Sequence, residues 1–138
     1  MSPDVDRPLW PVIRITVART GAILARRASL AWTPRERMTG LLGRSSLPET
    51  EAMVFPNCRS IHTIGMRFAI DVALIDRGWR IVALKPGVTP GRLLWPVRGA
   101  WGVIEMAGGA LRRFDLRTGD QLEVAQAERL EGLPLERP

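Results

Sequence analysis

The side chains best suited to chemistry in this sequence lie in one short stretch, residues 57–76. It holds the chain's only cysteine, Cys58, and its only histidine, His62, and it adds Met66 and Asp71. A thiol, an imidazole, a thioether and a carboxylate could support nucleophilic catalysis, acid–base catalysis or metal binding. Each of these chemistries makes its own demand on spacing.

Nucleophilic catalysis would require the Cys58 thiolate and the His62 imidazole to lie within hydrogen-bond distance of each other. A spacing of four residues brings two side chains together on a helix but separates them by about 13 Å along a strand. Because the following residues read as a strand, we expect these side chains to lie apart. The sequence therefore favours a buried, unreactive Cys58.

Cys58, His62 and Met66 are also evenly spaced soft ligands of the kind that copper favours. A blue-copper centre uses two histidines and a zinc site would need further cysteines, and the sequence supplies neither. Asp71 would complete only an irregular set. The glycines in residues 99–109 lack the spacing of a dinucleotide-binding loop. We therefore expect neither a metal nor a cofactor.

Two carboxylates, Asp71 and Glu105, are predicted to lie on separate strands that could be neighbours. A desolvated pair of this kind would suit general acid–base catalysis. The more ordinary alternatives are an ion pair with Arg67 or Arg98, or a carboxylate that accepts hydrogen bonds from backbone amides. The sequence favours these structural roles and leaves catalysis open.

Hydrophobic patterning predicts a chain built mainly from strands. β-branched residues alternate with polar ones in residues 12–17, and the aliphatic run Ile70–Ile75 reads as a central strand. A turn at Asp76–Trp79 joins that run to the next strand and makes a hairpin. The predicted strands cover residues 11–18, 22–31, 52–55, 70–75, 80–85, 99–106 and 121–124.

Two short helices are predicted beside these strands. The first begins at the capping box Thr33–Glu36, with proline at the first helical position, and runs to Leu42. The second covers residues 107–114. Three prolines and two glycines in residues 86–96 predict a long surface loop without a regular element.

These elements predict an α+β, mainly β fold. We expect a single compact domain over residues 12–125, with terminal tails at 1–11 and 126–138. About seven or eight short, mostly antiparallel strands would form a barrel-like or sandwiched sheet with the two helices. The length of 138 residues suits one domain, and a single cysteine excludes an internal disulfide.

The net charge of +6 invites a nucleic-acid interpretation, but the arginines are scattered along the chain. A codon bias towards arginine explains them as well as phosphate binding does, so the charge pattern argues against a nucleic-acid partner. The sequence contains no apolar run of about 20 residues that would predict a membrane span. The N-terminus lacks the features of a signal peptide, so we expect a cytoplasmic protein, with export left open if the natural chain is longer.

Several segments in this order resemble the bacterial and archaeal family known as domain of unknown function 192. Family patterns often carry a tryptophan and an asparagine where this chain has His62, Thr63 and Met66. The resemblance implies a compact, mainly β fold and no reaction, and it implies no role for any residue. The matching segments are Arg37–Arg44, Ala52–Phe55, His62–Asp76, Pro96–Gly109 and Thr118–Asp120.

The sequence points first to a non-enzymatic ligand-binding or accessory domain whose partner is an unidentified small ligand or protein. One alternative is a hydrolase or transferase that uses His62 as a base oriented by Asp71. Another is a weak, arginine-mediated nucleic-acid binder. The oligomeric state is left open. The candidate pocket consists of His62, Thr63, Met66, Asp71, Trp95, Arg98 and Glu105.

Overall fold

The computed structural model describes residues 12–32 and 45–127, and strands dominate both segments. A single short helix, α1, lies between the last two strands of this described part. The predicted helix from Thr33 to Leu42 lies outside the described residues. The elements are β1 Val12–Val17, β2 Ile23–Leu30, β3 Glu51–Phe55, β4 Ile61–His62, β5 Ile70–Ile75, β6 Ile81–Val88, β7 Leu93–Leu94, β8 Gly102–Ala107, α1 Ala110–Arg113 and β9 Leu122–Gln126.

Seven of the described strands form one sheet in the order β6-β5-β8-β3-β2-β1-β9, while β4 and β7 form a separate pair. Within the large sheet, β2 and β3 run parallel and the other neighbours run antiparallel. The mainly β, mostly antiparallel architecture predicted from the sequence is therefore confirmed.

The sheet curls until its two outermost strands touch at one corner. Arg80, just before β6, forms a bridge with Gln121, just before β9. The Leu122 amide donates a hydrogen bond to the Trp79 carbonyl at 2.9 Å. Because strand twist accumulates across a sheet, seven strands can bring opposite edges together. The result is a half-barrel that is closed at this corner.

The concave side of the half-barrel holds the inner core, to which β1, β2, β3, β5, β8 and α1 all contribute. Successive side chains on a strand point to opposite faces, so every second residue of a strand reaches this core. In β5 and β8, for example, Ala73, Ile75, Ile104 and Met106 point inward and are almost completely buried.

The convex side of β3, β5 and β8 carries a second, outer core that includes Met53, Val72, Leu74 and Val103. Two loop segments, residues 60–69 and 89–98, pack over it and are joined through β4 and β7; we refer to them together as the flap. Because both faces of β5 are covered, all six of its residues are buried. This explains why β5 reads as an aliphatic segment in which Asp71 is the one polar residue.

The predicted irregular loop at residues 86–96 is wrong at two points. Strand β6 continues through Pro86 and Gly87 to Val88, and Leu93–Leu94 forms β7. A proline is tolerated in β6 because this strand lies at the edge of the described sheet, where not every amide needs a partner. Two-residue strands such as β7 are too short to leave a periodic pattern.

Candidate functional site

The structure distributes the seven residues of the predicted pocket over three places. His62, Trp95 and Arg98 are exposed on the flap, Thr63 and Met66 are buried residues of the flap, and Asp71 and Glu105 are buried within the large sheet.

Thr63 fastens the two halves of the flap together. Its hydroxyl donates to the Thr89 carbonyl at 2.7 Å and accepts from the Arg92 amide at 2.9 Å. The Thr63 amide donates to the Arg92 carbonyl at 2.8 Å, and the Thr63 carbonyl accepts from the Gly91 amide at 3.0 Å. These four hydrogen bonds give the fully buried Thr63 a structural role.

Asp71 accepts hydrogen bonds from two backbone amides. One carboxylate oxygen accepts from Gly87 at 2.9 Å, and the other accepts from Leu111, in the first turn of α1, at 3.0 Å. A carboxylate suits this position because it can satisfy an amide at the start of a helix. The expected structural role as an amide acceptor is therefore observed for Asp71.

The proposed catalytic pair of His62 and Asp71 is not formed. His62 is exposed on β4, and within the described part of the chain its imidazole makes no hydrogen bond. Asp71 is buried beneath Gly87 and Leu111, with both carboxylate oxygens engaged. Nothing in this arrangement would orient His62 as a base.

The two buried carboxylates do not form an acid–base pair either, although β5 and β8 are neighbours as expected. Asp71 lies opposite Met106, while Glu105 lies opposite Val72. Residues opposite each other share a face, so Asp71 lies on the concave side and Glu105 on the convex side. The sheet itself separates them.

Glu105 is the most unusual ionisable group in the described structure. Its side chain lies in the outer core and is 4% exposed, and none of the described residues offers its carboxyl group a hydrogen bond. Burial raises the pKa of Glu105 to about 8, because the charged form is poorly solvated there. The carboxyl group is therefore mainly protonated at neutral pH.

Cys58 is half-buried at the edge of the outer core. Its thiol donates a hydrogen bond to the Ser60 carbonyl at 3.0 Å, and its amide donates to the Trp101 carbonyl at 2.7 Å. The sequence predicted a buried cysteine, and the side chain is less buried than expected. Because the thiol donates a hydrogen bond to a backbone carbonyl, it has a structural partner within its own loop.

An open cleft of about 530 Å³ lies where three chain segments meet. These are the residues that follow β3, the turn between β5 and β6, and the residues that precede β8. The segments are tied together because the Trp101 amide donates to the Ile75 carbonyl at 2.7 Å and the Trp101 carbonyl accepts from Cys58. The cleft is lined by Asn57, Arg59, Asp76, Arg77, Gly78, Gly99, Ala100 and Trp101.

The cleft combines an aromatic surface with a positive charge. The guanidinium carbon of Arg77 lies 5.9 Å from the centre of the Trp101 ring, and Trp32 packs edge-on against the same ring at 6.5 Å. One oxygen of Asp76 accepts hydrogen bonds from the amides of Gly78 and Arg80, which fixes the turn. The cleft is therefore lined by two arginines and one carboxylate, and one oxygen of that carboxylate already accepts backbone hydrogen bonds.

Sequence reasoning identified the turns that form this cleft but not the cleft itself. Pro56-Asn57 and Asp76–Trp79 both carry turn signals, and Asn57 indeed adopts a left-handed conformation with φ 53°. Only the pairing of β3, β5 and β8 brings these turns together. No pattern within one segment could reveal that.

Neither a metal centre nor a membrane-spanning helix is found in the described ranges. No group of three histidine, cysteine or acidic side chains there is arranged to hold a metal ion. The single helix of the described part, α1, is too short to cross a bilayer.

The curled sheet and the flap define a small, mainly β domain with an open cleft lined by loop residues. The chain belongs to the domain of unknown function 192 family, described as uncharacterised ACR, whose profile matches residues 15–124. A comparison with functionally curated proteins gives no significant match.

Two crystal structures show the same fold. One is a protein of Sinorhizobium meliloti 1021 described as a proposed transcription regulator, with a TM-score of 0.71 and 21% identity over 82% of this chain and 92% of that chain. The other is a protein of unknown function from Novosphingobium aromaticivorans, with a TM-score of 0.70 and 22% identity over 81% of this chain and 83% of that one. At this level of identity the likeness concerns the fold alone.

Proposed function

We propose that this protein is a non-enzymatic domain that binds a small anionic molecule in the open cleft. The observation that carries the proposal is that two arginines, Arg59 and Arg77, line the same cleft as Trp101, with Arg77 lying over the Trp101 ring. Arg59 is exposed and makes no ion pair within the described residues, so its guanidinium is available to a ligand.

The chemistry of the cleft favours a carboxylate or a phosphate attached to a flat or apolar group. A guanidinium presents donors in a planar fork that matches both anions. Trp101 offers an apolar surface beside the charge. The volume of about 530 Å³ falls in the range of small-molecule sites, which suits a metabolite rather than a polymer.

Binding without a reaction fits the residues of the cleft. Its lining has neither a nucleophile nor a histidine, and Asp76 already accepts two backbone hydrogen bonds. The alternative of a hydrolase or transferase based on His62 has no support from the geometry, because Asp71 does not contact it. A ligand held by Arg59 and Arg77 would be bound and released unchanged.

A thermal-shift screen of carboxylated and phosphorylated metabolites tests this proposal. A ligand of the folded state stabilises it by about 2.7 kcal/mol at a concentration one hundred times its dissociation constant. The variants Arg59→Gln and Arg77→Gln should each abolish most of that shift, whereas Arg26→Gln, an exposed arginine on β2, should retain it. The proposal fails if no anion shifts the melting temperature, or if all three variants respond as the parent does.

A further inference from the structure

The flap exposes three large apolar side chains. Ile64 and Leu93 are each 60% exposed, and Trp95 is 78% exposed. Two other large apolar residues in the described chain, Trp32 and Val124, are clearly less exposed. Trp95 therefore has more than three-quarters of its surface open to the surroundings.

These three side chains belong to one surface. Strand β4 pairs with β7 so that His62 lies opposite Leu93. Trp95 is two residues beyond Leu93, the spacing that returns an extended chain to the same face. Ile64 follows Thr63, whose hydrogen bonds to Arg92 hold the two segments side by side.

The flap also carries unpaired positive charge. Arg67, Arg92 and Arg98 are exposed, and within the described residues none of them has an ion pair or a side-chain hydrogen bond. The sequence places no aspartate or glutamate in residues 57–70 or 89–101. No acidic side chain within the flap therefore neutralises the three arginines.

Several arginines elsewhere in the described structure form ion pairs. Arg19 contacts Asp120 at 2.7 Å, Arg117 contacts Asp115 at 2.9 Å, and Arg113 contacts Glu49 at 3.3 Å. The flap thus combines projecting apolar groups with cations that lack a partner in the described chain.

We propose that the flap is a membrane-contact surface that binds the anionic face of a lipid bilayer. Tryptophan favours the boundary between headgroups and acyl chains, and aliphatic side chains gain from burial there. Arg67, Arg92 and Arg98 would meet the negatively charged headgroups. Trp95, Leu93 and Ile64 would insert between those headgroups.

A lipid surface fits the flap better than a nucleic acid does. Single-stranded nucleic acid is held by aromatic rings on which the bases stack. On this surface Trp95 is the one exposed aromatic side chain of the described flap, and the other two projecting groups are aliphatic. Aliphatic groups gain little from stacked bases but transfer favourably into lipid.

Sedimentation with lipid vesicles tests the proposal directly. The full chain should bind vesicles in which about a third of the lipid is phosphatidylglycerol and should bind pure phosphatidylcholine far more weakly. Trp95→Ser should lower the partition coefficient roughly tenfold. Each of Arg67→Gln, Arg92→Gln and Arg98→Gln should lower it roughly fivefold, since each cation near the surface contributes about 1 kcal/mol.

Two matched variants serve as controls. Val124→Ser removes an exposed apolar side chain from β9, and Arg26→Gln removes an exposed charge from β2; both should bind the anionic vesicles as the parent does. The proposal is overturned if the anionic vesicles bind no protein, or if the control variants lose as much binding as the flap variants.

Binding of the parent to a single-stranded oligonucleotide but not to vesicles, lost in Trp95→Ser, would also overturn the proposal and assign the flap to nucleic acid. Vesicle binding by the flap can be distinguished from ligand binding in the cleft. The cleft variants Arg59→Gln and Arg77→Gln should partition onto anionic vesicles within about twofold of the parent.

Discussion

Three buried polar side chains show how differently the same fold treats polar residues. Asp71 satisfies two backbone amides and Thr63 joins two loops, so both are fully used inside the protein. Glu105 occupies an equally buried position without a hydrogen bond from the described residues. Its carboxyl group remains buried because it stays protonated.

Glu105 should make folding stability depend on pH in the neutral range. The folded protein holds a proton up to a pKa of about 8, whereas the unfolded chain releases it near 4.5. The contribution of Glu105 to the free energy of unfolding is therefore greatest below about pH 4.5. It falls by roughly 1.4 kcal/mol per pH unit between that pH and about pH 8. Glu105→Gln cannot ionise and should lose this dependence.

Urea unfolding at about pH 5 and about pH 9 would measure this difference. At the higher pH Glu105→Gln should be more stable than the parent, by roughly 2–5 kcal/mol. Glu123→Gln, which removes an exposed carboxylate from β9, should preserve the parent's slope. An unchanged slope in Glu105→Gln would show that Glu105 is ionised in the folded protein.

The sequence offers the same alternatives, catalysis or a structural role, for Asp71 and for Glu105 and does not choose between them. Asp71 lies within β5 and accepts hydrogen bonds from two backbone amides, which is one of the structural roles that the sequence predicts. The protonated state of Glu105 is not predicted by the sequence, because it depends on burial against residues of neighbouring strands such as Val72 and Met53. A sequence pattern records what lies on one strand and not what covers it.

At the scale of elements, the long strands were predictable and the flap was not. Apart from Asp71 and Glu105, β5 and β8 consist of apolar residues and one glycine, because both of their faces are covered. β4 and β7 have two residues each and depend on the Thr63 hydrogen bonds for their position. Their pairing therefore follows from tertiary contacts rather than from local preference.

Removing the Thr63 hydroxyl should loosen the flap. Thr63→Val keeps the shape of the side chain but leaves the Arg92 amide and the Thr89 carbonyl without this partner. An unsatisfied buried group costs about 1–3 kcal/mol, and because these two groups are only partly buried we expect a total loss of roughly 2–3 kcal/mol in the free energy of unfolding.

Thr63→Ser provides the matched control, since it retains the hydroxyl and should cost only about 1 kcal/mol for the lost methyl group. Urea denaturation measures both values, and hydrogen exchange at the Arg92 amide should accelerate in the valine variant alone. Equal exchange rates in the two variants would show that other contacts hold the flap.

At the scale of the whole molecule, the contact between β6 and β9 turns an open sheet into a half-barrel. The sequence predicted a barrel-like or a sandwiched sheet without choosing between them. Strand patterns define which face is apolar, but they do not say how far a sheet curls. How far this sheet curls depends on the twist that accumulates from strand to strand. It also depends on hydrogen bonds between residues about forty positions apart, such as Trp79 and Leu122.

Asp120 stabilises the closed corner and should give the molecule a second pH dependence of opposite sign. It accepts hydrogen bonds from the Arg19 side chain and from the Arg117 amide. The hydrogen bond from Arg19 lowers the pKa of Asp120 below its usual value. Its contribution is thus present above about pH 4 and lost as the pH falls through the folded-state pKa.

Asp120→Asn should lower the free energy of unfolding by roughly 1.5–3 kcal/mol at neutral pH, because it weakens charged hydrogen bonds. The difference from the parent should shrink in acid, where the parent's carboxylate is also neutral, and unfolding monitored by circular dichroism would follow it. The contribution of Asp120 falls in acid, and that of Glu105 falls as the pH rises. The sum of these two contributions is therefore greatest near about pH 4–5. A deficit that is constant across the acid range would contradict the role assigned to the Asp120 charge.

Pro86 has a consequence for how copies of this chain meet one another in solution. A free sheet edge can recruit a strand from a second molecule, which is the first step towards fibrous aggregates. Along the outer side of β6, Pro86 has no amide to offer and the exposed Lys85 beside it adds a charge that repels an identical edge. Pro86, which makes the end of β6 read as a loop in the sequence, thus helps to protect the sheet from intermolecular strand pairing.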